Sequence, residues 1–123
     1  MPVRSLTSPV LRWPDAQAVD QAVRRWARKI AAKRPEILRI GYFGSYARGD
    51  WGVGSDLDLI MVVDRAEQPF ERRASQLDLT ELPVPAEVLV YTVEEWERLS
   101  SQKGRFALML NKETIWIYSR STT

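Results

Sequence analysis

The sequence predicts an α+β domain: a small mixed, twisted sheet of about four strands with helices packed mainly on one face. Three observations lead there. Short apolar runs bounded by turn residues recur along the chain, at residues 37–43, 56–63, 86–91 and 114–118. Between them lie segments of helical period, opened by capping residues or closed by proline. The length, 123 residues, suits one domain and leaves no room for two.

Taken in order, residues 1–14 carry three prolines and no period, and read as an extended N-terminal arm. Trp13 is expected to dock on the domain. Residues 15–34 form a helix, with Asp15 as N-cap and Pro35 as the stop. Val19, Val23, Trp26 and Ile30 recur at helical spacing and make its buried face. The opposite face holds Arg24, Arg25, Arg28, Lys29, Lys33 and Arg34, the most basic patch of the chain. A solvated face is the simpler account of that patch; a docking surface for an acidic partner is the sharper one. No aromatics interleave the cations, which argues against nucleic acid as a direct substrate.

Residues 36–43 form the first strand, which delivers Gly44 and Ser45 at its C-terminal end. Residues 49–55 make a turn with three glycines and Trp51 at its tip, expected to be exposed. The second strand, residues 56–63, opens with Asp56-Leu57-Asp58. Residues 70–82 read as a helix with Phe70, Ala74, Leu77 and Leu79 inward, ended by Pro83 and Pro85. Residues 86–91 form the third strand, with Glu87, Leu89 and Tyr91 on one face and Val88 and Val90 on the other. Thr92 and Glu95 match the capping-box pattern for a helix to about Ser100, with Trp96 and Leu99 inward. Residues 103–111 form a further helix, residues 114–118 a last strand at a sheet edge, and residues 119–123 a tail. The domain proper thus spans residues 15–118.

The chemistry concentrates in GSYARGDWGVGSDLDLIMVV, residues 44–63. Alternation along a strand puts Asp56 and Asp58 on one face. Two carboxylates on a mostly buried element repel each other, so one protonates or a cation lies between them. A hard divalent ion such as Mg²⁺ takes oxygen ligands and is shared with substrate phosphates. Gly44 allows a phosphate close to the backbone. Ser45 is placed to cap a short helix over residues 46–48, whose N–H groups favour anions, and Arg48 adds a charge that pairs with phosphate. Cradle and metal ligands together suggest phosphoryl or nucleotidyl transfer. An Asp-x-Asp or a Gly-Ser alone is weak; the two together, each on a strand, are specific.

Gly44, Ser45, Ala47, Arg48, Gly49, Asp50, Ser55, Asp56, Asp58 and Leu59 resemble the signature of the minimal nucleotidyltransferases, the MNT branch of the DNA polymerase beta-like superfamily. That pattern is a Gly-Ser, ten residues, then Asp-x-Asp. The resemblance runs from about Val19 to Tyr118. It implies the nucleotidyltransferase fold, two Mg²⁺ ions held by Asp56, Asp58 and a third carboxylate, and a nucleoside triphosphate donor seated by Gly44, Ser45, Arg48 and Ser55. Glu87 falls where the third carboxylate sits, with the role of ligating the catalytic metal and accepting the proton of the incoming hydroxyl. Most members carry Asp there; Glu is one methylene longer and displaces the carboxylate by about 1.3 Å. Stand-alone members commonly act as the antitoxin of a HEPN–MNT pair, moving AMP from ATP to a tyrosine of the HEPN-domain protein. The resemblance therefore implies a protein adenylyltransferase with a HEPN partner. An enzyme with a small-molecule acceptor, such as an aminoglycoside, and a non-catalytic antitoxin that neutralises by binding are the alternatives.

Composition narrows the rest. There is no Cys and no His, which excludes disulfides, zinc–thiolate sites, thiol catalysis and imidazole base catalysis. Acid–base work falls to carboxylates, Lys and Tyr. A net charge of +2 is too small to argue for a nucleic-acid binder. No apolar run approaches a membrane span, and the N-terminus lacks the apolar core of a signal peptide, so a cytoplasmic protein is expected.

Overall fold

A computed structural model describes residues 13–120. Helix α1 spans Ala16–Lys33, with Asp15 as N-cap accepting a hydrogen bond from the Ala18 N–H at 2.8 Å. Its buried stripe contains Val19, Val23, Trp26 and Ile30, as the period predicts, joined by Ala22, Ala27 and Ala31. Strand β1 (Ile37–Phe43) runs straight into the one-turn helix α2 (Ser45–Arg48), and β2 covers Leu57–Val63. After a long connection containing α3 (Phe70–Arg73) come β3 (Ala86–Thr92), α4 (Val93–Ser100), α5 (Arg105–Glu113) and β4 (Ile115–Ser119).

The strands form one four-stranded sheet in the order β3-β2-β1-β4. Pairing of β1 with β2 and with β4 is antiparallel, and pairing of β2 with β3 is parallel, so the sheet is mixed. Strand β4 lies at an edge, as expected from its position and length. The larger core fills the face under α1: Val19, Val23, Trp26 and Ile30 pack on Leu57, Leu59, Met61, Val63, Val88 and Val90. On the other face Phe43, Ile60 and Leu110 make a smaller cluster, flanked by Leu89, Tyr91, Trp96, Leu99, Met109 and Trp116. The alternation of β3 is therefore the expected one, with Val88 and Val90 towards the larger core and Leu89 and Tyr91 opposite. Trp13 docks as expected, its indole N–H donating to the Tyr46 hydroxyl at 2.8 Å. The rest of the expected arm, residues 1–12, and the end of the tail, residues 121–123, lie outside the described residues.

One helix differs from expectation. The segment 70–82 is helical only over Phe70–Arg73, with a single 3₁₀ turn at Ala74–Gln76. Leu77 is extended, and the Asp78 carboxylate accepts from the N–H and hydroxyl of Thr80. Such a local bond offers the backbone an alternative to the helix. The opened chain spends its carbonyls on α1: the Trp26 indole N–H donates to Asp78 O at 2.8 Å, and Arg34 donates to Gln76 O at 2.9 Å. Leu82 and Val84 are then buried in the larger core, with Leu77, Leu79 and Ala74 packed against it. Phe70, expected inward, is 39% exposed and rests on Tyr91.

The capping box at Thr92 forms as expected. Thr92 Oγ1 accepts the Glu95 N–H at 3.1 Å, and Glu95 accepts the Thr92 N–H at 2.8 Å. Glu95 also binds Arg73 at 2.6 and 3.2 Å, which ties α3 to α4. The Arg73 bond holds the Glu95 carboxyl down at about 2. A depressed carboxyl contributes stability above its unfolded value of 4.5, and that contribution fades as the pH falls towards 2. Glu95→Ala is expected to cost about 1–2 kcal/mol at neutral pH. Urea denaturation at pH 7 and pH 2.5 checks this: the gap between wild type and variant should shrink at the lower pH.

Candidate functional site

The site lies where β1 ends and β2 and β3 begin. Gly44 has φ 82° and ψ −154°, a region open only to glycine, and its C=O accepts the Ala47 and Arg48 N–H groups at the start of α2. A Cβ placed on Gly44 would strike the Asp58 carboxylate. The Gly-Ser junction and the Asp-x-Asp strand are thus in direct contact, as the spacing suggests. Ser45 differs from expectation: it is the first residue of α2, and Gly44 holds the cap position without a side-chain bond.

Asp58 sits between Phe43 on β1 and Glu87 on β3. Neighbours across a parallel pair project to the same side, so Asp58 and Glu87 share the face of the smaller cluster. Burial pushes the Asp58 carboxyl up, and the charges of Glu87 and Asp56 push it further; Arg48 pulls the other way. Asp58 therefore feels both of the carboxylates predicted to act with it. Asp56 and Glu87 are exposed, and Asp58 is half-buried. Among the described residues, no group of three or more acidic side chains is already gathered closely enough to hold a metal ion. The donor set is nevertheless all hard oxygen, the ligand type that Mg²⁺ takes.

Arg48 is 48% exposed and pairs with Asp50 at 3.1 Å. It also binds Glu113 at 3.3 Å, and Glu113 accepts the Gly44 N–H at 3.0 Å. Sequence reasoning missed Glu113, which lies 69 residues from Gly44 at the end of α5. No spacing rule relates the two. Ser55 is occupied locally: its hydroxyl accepts the Gly52 N–H at 2.8 Å and closes the glycine-rich turn. Trp51 is not an exposed tip. Its ring stacks on Tyr46 with centroids 5.7 Å apart and planes 9° apart, and it packs against the larger core. Burial of apolar ring area outweighs exposure at a turn when a second aromatic lies within reach.

Two cavities stand out among the described residues, and neither includes Gly44, Ser45, Asp56, Asp58 or Glu87. The one of about 510 Å³ lies at the opposite end of the sheet, around Ile37, Val63, Asp64, Arg65 and Arg120. The other lies along Ala74, Leu79, Pro83 and Ala86. Asp56 and Glu87 lie at the exposed surface.

A profile of the nucleotidyltransferase domain matches residues 24–114, most of the chain. No curated protein sequence matches. Several solved structures share the fold. A proposed nucleotidyltransferase from Sulfolobus solfataricus is 19% identical, with 85% of this chain and 84% of that one covered at a TM-score of 0.62. A toxin–antitoxin structure with AMP-PNP is 16% identical over 82% of this chain and 73% of that one, at a TM-score of 0.54. A mutant of the toxin–antitoxin MntA-HpeT is 13% identical with the same coverage, at 0.51.

Proposed function

The chain belongs to the nucleotidyltransferase domain family, and from that premise we propose that it transfers AMP from ATP to a protein hydroxyl, the tyrosine of a HEPN-domain toxin, as the antitoxin of a pair. The observation that carries the proposal is the close approach of the Gly44 backbone to Asp58, beside Glu87 on the adjacent strand. It joins a side-chain-free stretch of backbone with carboxylates on two adjacent strands. The fold shared with a toxin–antitoxin structure holding AMP-PNP supports the donor and the setting. The exposure of Asp56 and Glu87, with both cavities elsewhere, favours an acceptor presented by a partner over an enclosed small molecule.

In this reading Gly44 N–H and Arg48 bind the donor phosphates, and Ser45 borders them. Asp56, Asp58 and Glu87 would hold Mg²⁺, which supplies charge neutralisation on the phosphates and acidifies the attacking hydroxyl. Glu87 accepts the proton of that hydroxyl. The acceptor oxygen forms a bond to the α-phosphorus as the bond to pyrophosphate breaks. Positioning and charge account for most of the rate. The longer Glu87 reaches from an exposed position at the start of β3, where its extra methylene has room.

The experiment is transfer of label from α-labelled ATP, with Mg²⁺, to a lysate of the native host and to a purified HEPN protein encoded beside it. Asp56→Asn/Asp58→Asn runs in parallel. A labelled protein seen only with the wild type is the expected result. Label on a small molecule instead would establish the aminoglycoside-type alternative. Absence of all label, with the toxin still neutralised by both proteins, would leave binding alone as the function.

A further inference from the structure

The phosphate-binding groups of this chain already hold an anion. Gly44 is buried, and its N–H, a donor that requires a partner away from water, donates to Glu113 Oε2 at 3.0 Å. Arg48 Nη1 reaches both oxygens of the same carboxylate, at 3.3 and 3.4 Å. The Glu113 side chain is 14% exposed, so this is a shielded contact on one side, although Arg48 itself stays half in water. The helix that carries Glu113 disfavours a carboxylate there. Glu113 is the last residue of α5, where a negative charge opposes the helix dipole. It also adds its charge to those acting on Asp58. The backbone around it is set by close packing: a Cβ on Gly41 would lie 2.8–2.9 Å from Ile115 O, Thr114 Cγ2 and Trp116 Cε3. Only glycine at 41 lets the start of β4 press onto β1, and that approach delivers Glu113 to the Gly44 amide.

We propose that Glu113 is an internal stand-in for a donor phosphate, seated on the Gly44 amide and Arg48 in the free protein and displaced when a polyphosphate binds. The proposal rests on the nucleotidyltransferase reading above. A single carboxylate yields to a ligand of higher charge and competes well against weakly charged ones. Glu113 therefore selects for the polyphosphate end of a nucleotide and keeps the Gly44 amide satisfied between turnovers.

The test is calorimetric titration of wild type, Glu113→Ala and Glu113→Gln with ATP, tripolyphosphate and adenosine, all with Mg²⁺. Removing the competing carboxylate is expected to tighten ATP and tripolyphosphate by about tenfold or more in Glu113→Ala. Glu113→Gln, which keeps shape and loses charge, should fall between; adenosine should not change. Thermal melting of each variant shows which are folded, and Glu113→Gln carries the test if the alanine variant is not. Unchanged or weaker ATP affinity in the folded variants, with the wild type binding, would overturn the proposal alone. An equal gain for adenosine would also overturn it. Failure of every protein to bind ATP would remove the nucleotide reading itself, and this inference with it.

Discussion

Asp58→Asn is expected to reduce nucleotidyl transfer by a factor on the order of 10³ and to leave the folded protein at least as stable. The two halves of this result have one cause. Asp58 is half-buried between Phe43 and Glu87, and burial first, then Glu87 and Asp56, push its carboxyl above the ordinary value of 3.8. A carboxyl raised on folding is cheaper to keep protonated in the folded state. Its ionisation therefore costs stability as the pH rises through the raised value, and costs nothing below the unfolded value. Asparagine has nearly the same shape and no charge. In EDTA at pH 7 the variant should melt above the wild type, and near pH 3 the two should converge. Adding Mg²⁺ should raise the wild type and leave the variant almost unmoved. Retention of a tenth or more of the transfer rate would remove Asp58 from the chemistry. A lower melting point at pH 7 would mean instead that the carboxylate is required by the fold.

The second large effect is Gly44→Ala, which should cost about 3 kcal/mol or more of folding stability and abolish transfer. A non-glycine residue held at such a φ costs about 1–3 kcal/mol. The new methyl also strikes the Asp58 carboxylate, which must turn aside to make room. Even a variant that recovers stability by that rotation loses the arrangement of the acids. Gly49 is the control. It has a φ of 89°, in the left-handed region, yet a Cβ there meets nothing within 4 Å. Gly49→Ala should cost about 1 kcal/mol, and its transfer rate should stay within a few-fold of the wild type. Urea denaturation of both variants compares them directly. Equal costs would mean that backbone strain, and not the approach to Asp58, governs position 44.

Much of this was legible in the residues. Asp15 and Pro35 bound α1, and its 3.6-residue period marked the stripe of Val19, Val23, Trp26 and Ile30 that the fold buries. The Thr92–Glu95 box announced α4. Alternation by two put Asp56 with Asp58, and Glu87 with Leu89 and Tyr91. These are short-range regularities: a cap, a period and a pleat involve residues within a few positions of one another, and the chain carries them wherever it goes.

Tertiary structure decided what depended on distant partners. The helix expected over residues 70–82 gave way because Asp78 folds back on Thr80 and because Trp26 and Arg34 take carbonyls that a helix would have kept. Trp51 was drawn off its turn by Tyr46. Ser45 lost the cap position to Gly44, whose backbone only a glycine adopts. Above all, nothing in the order of residues pairs Glu113 with Gly44 and Arg48. That pairing exists because β4 lies tight against Gly41, which sets the end of α5 over Gly44 and Arg48. By itself the sequence determined a glycine–serine step at the end of one strand and Asp56 with Asp58 on one face of the next. Only the folded chain decided which acceptor meets the Gly44 N–H, because a buried amide takes whichever acceptor the packing brings to it.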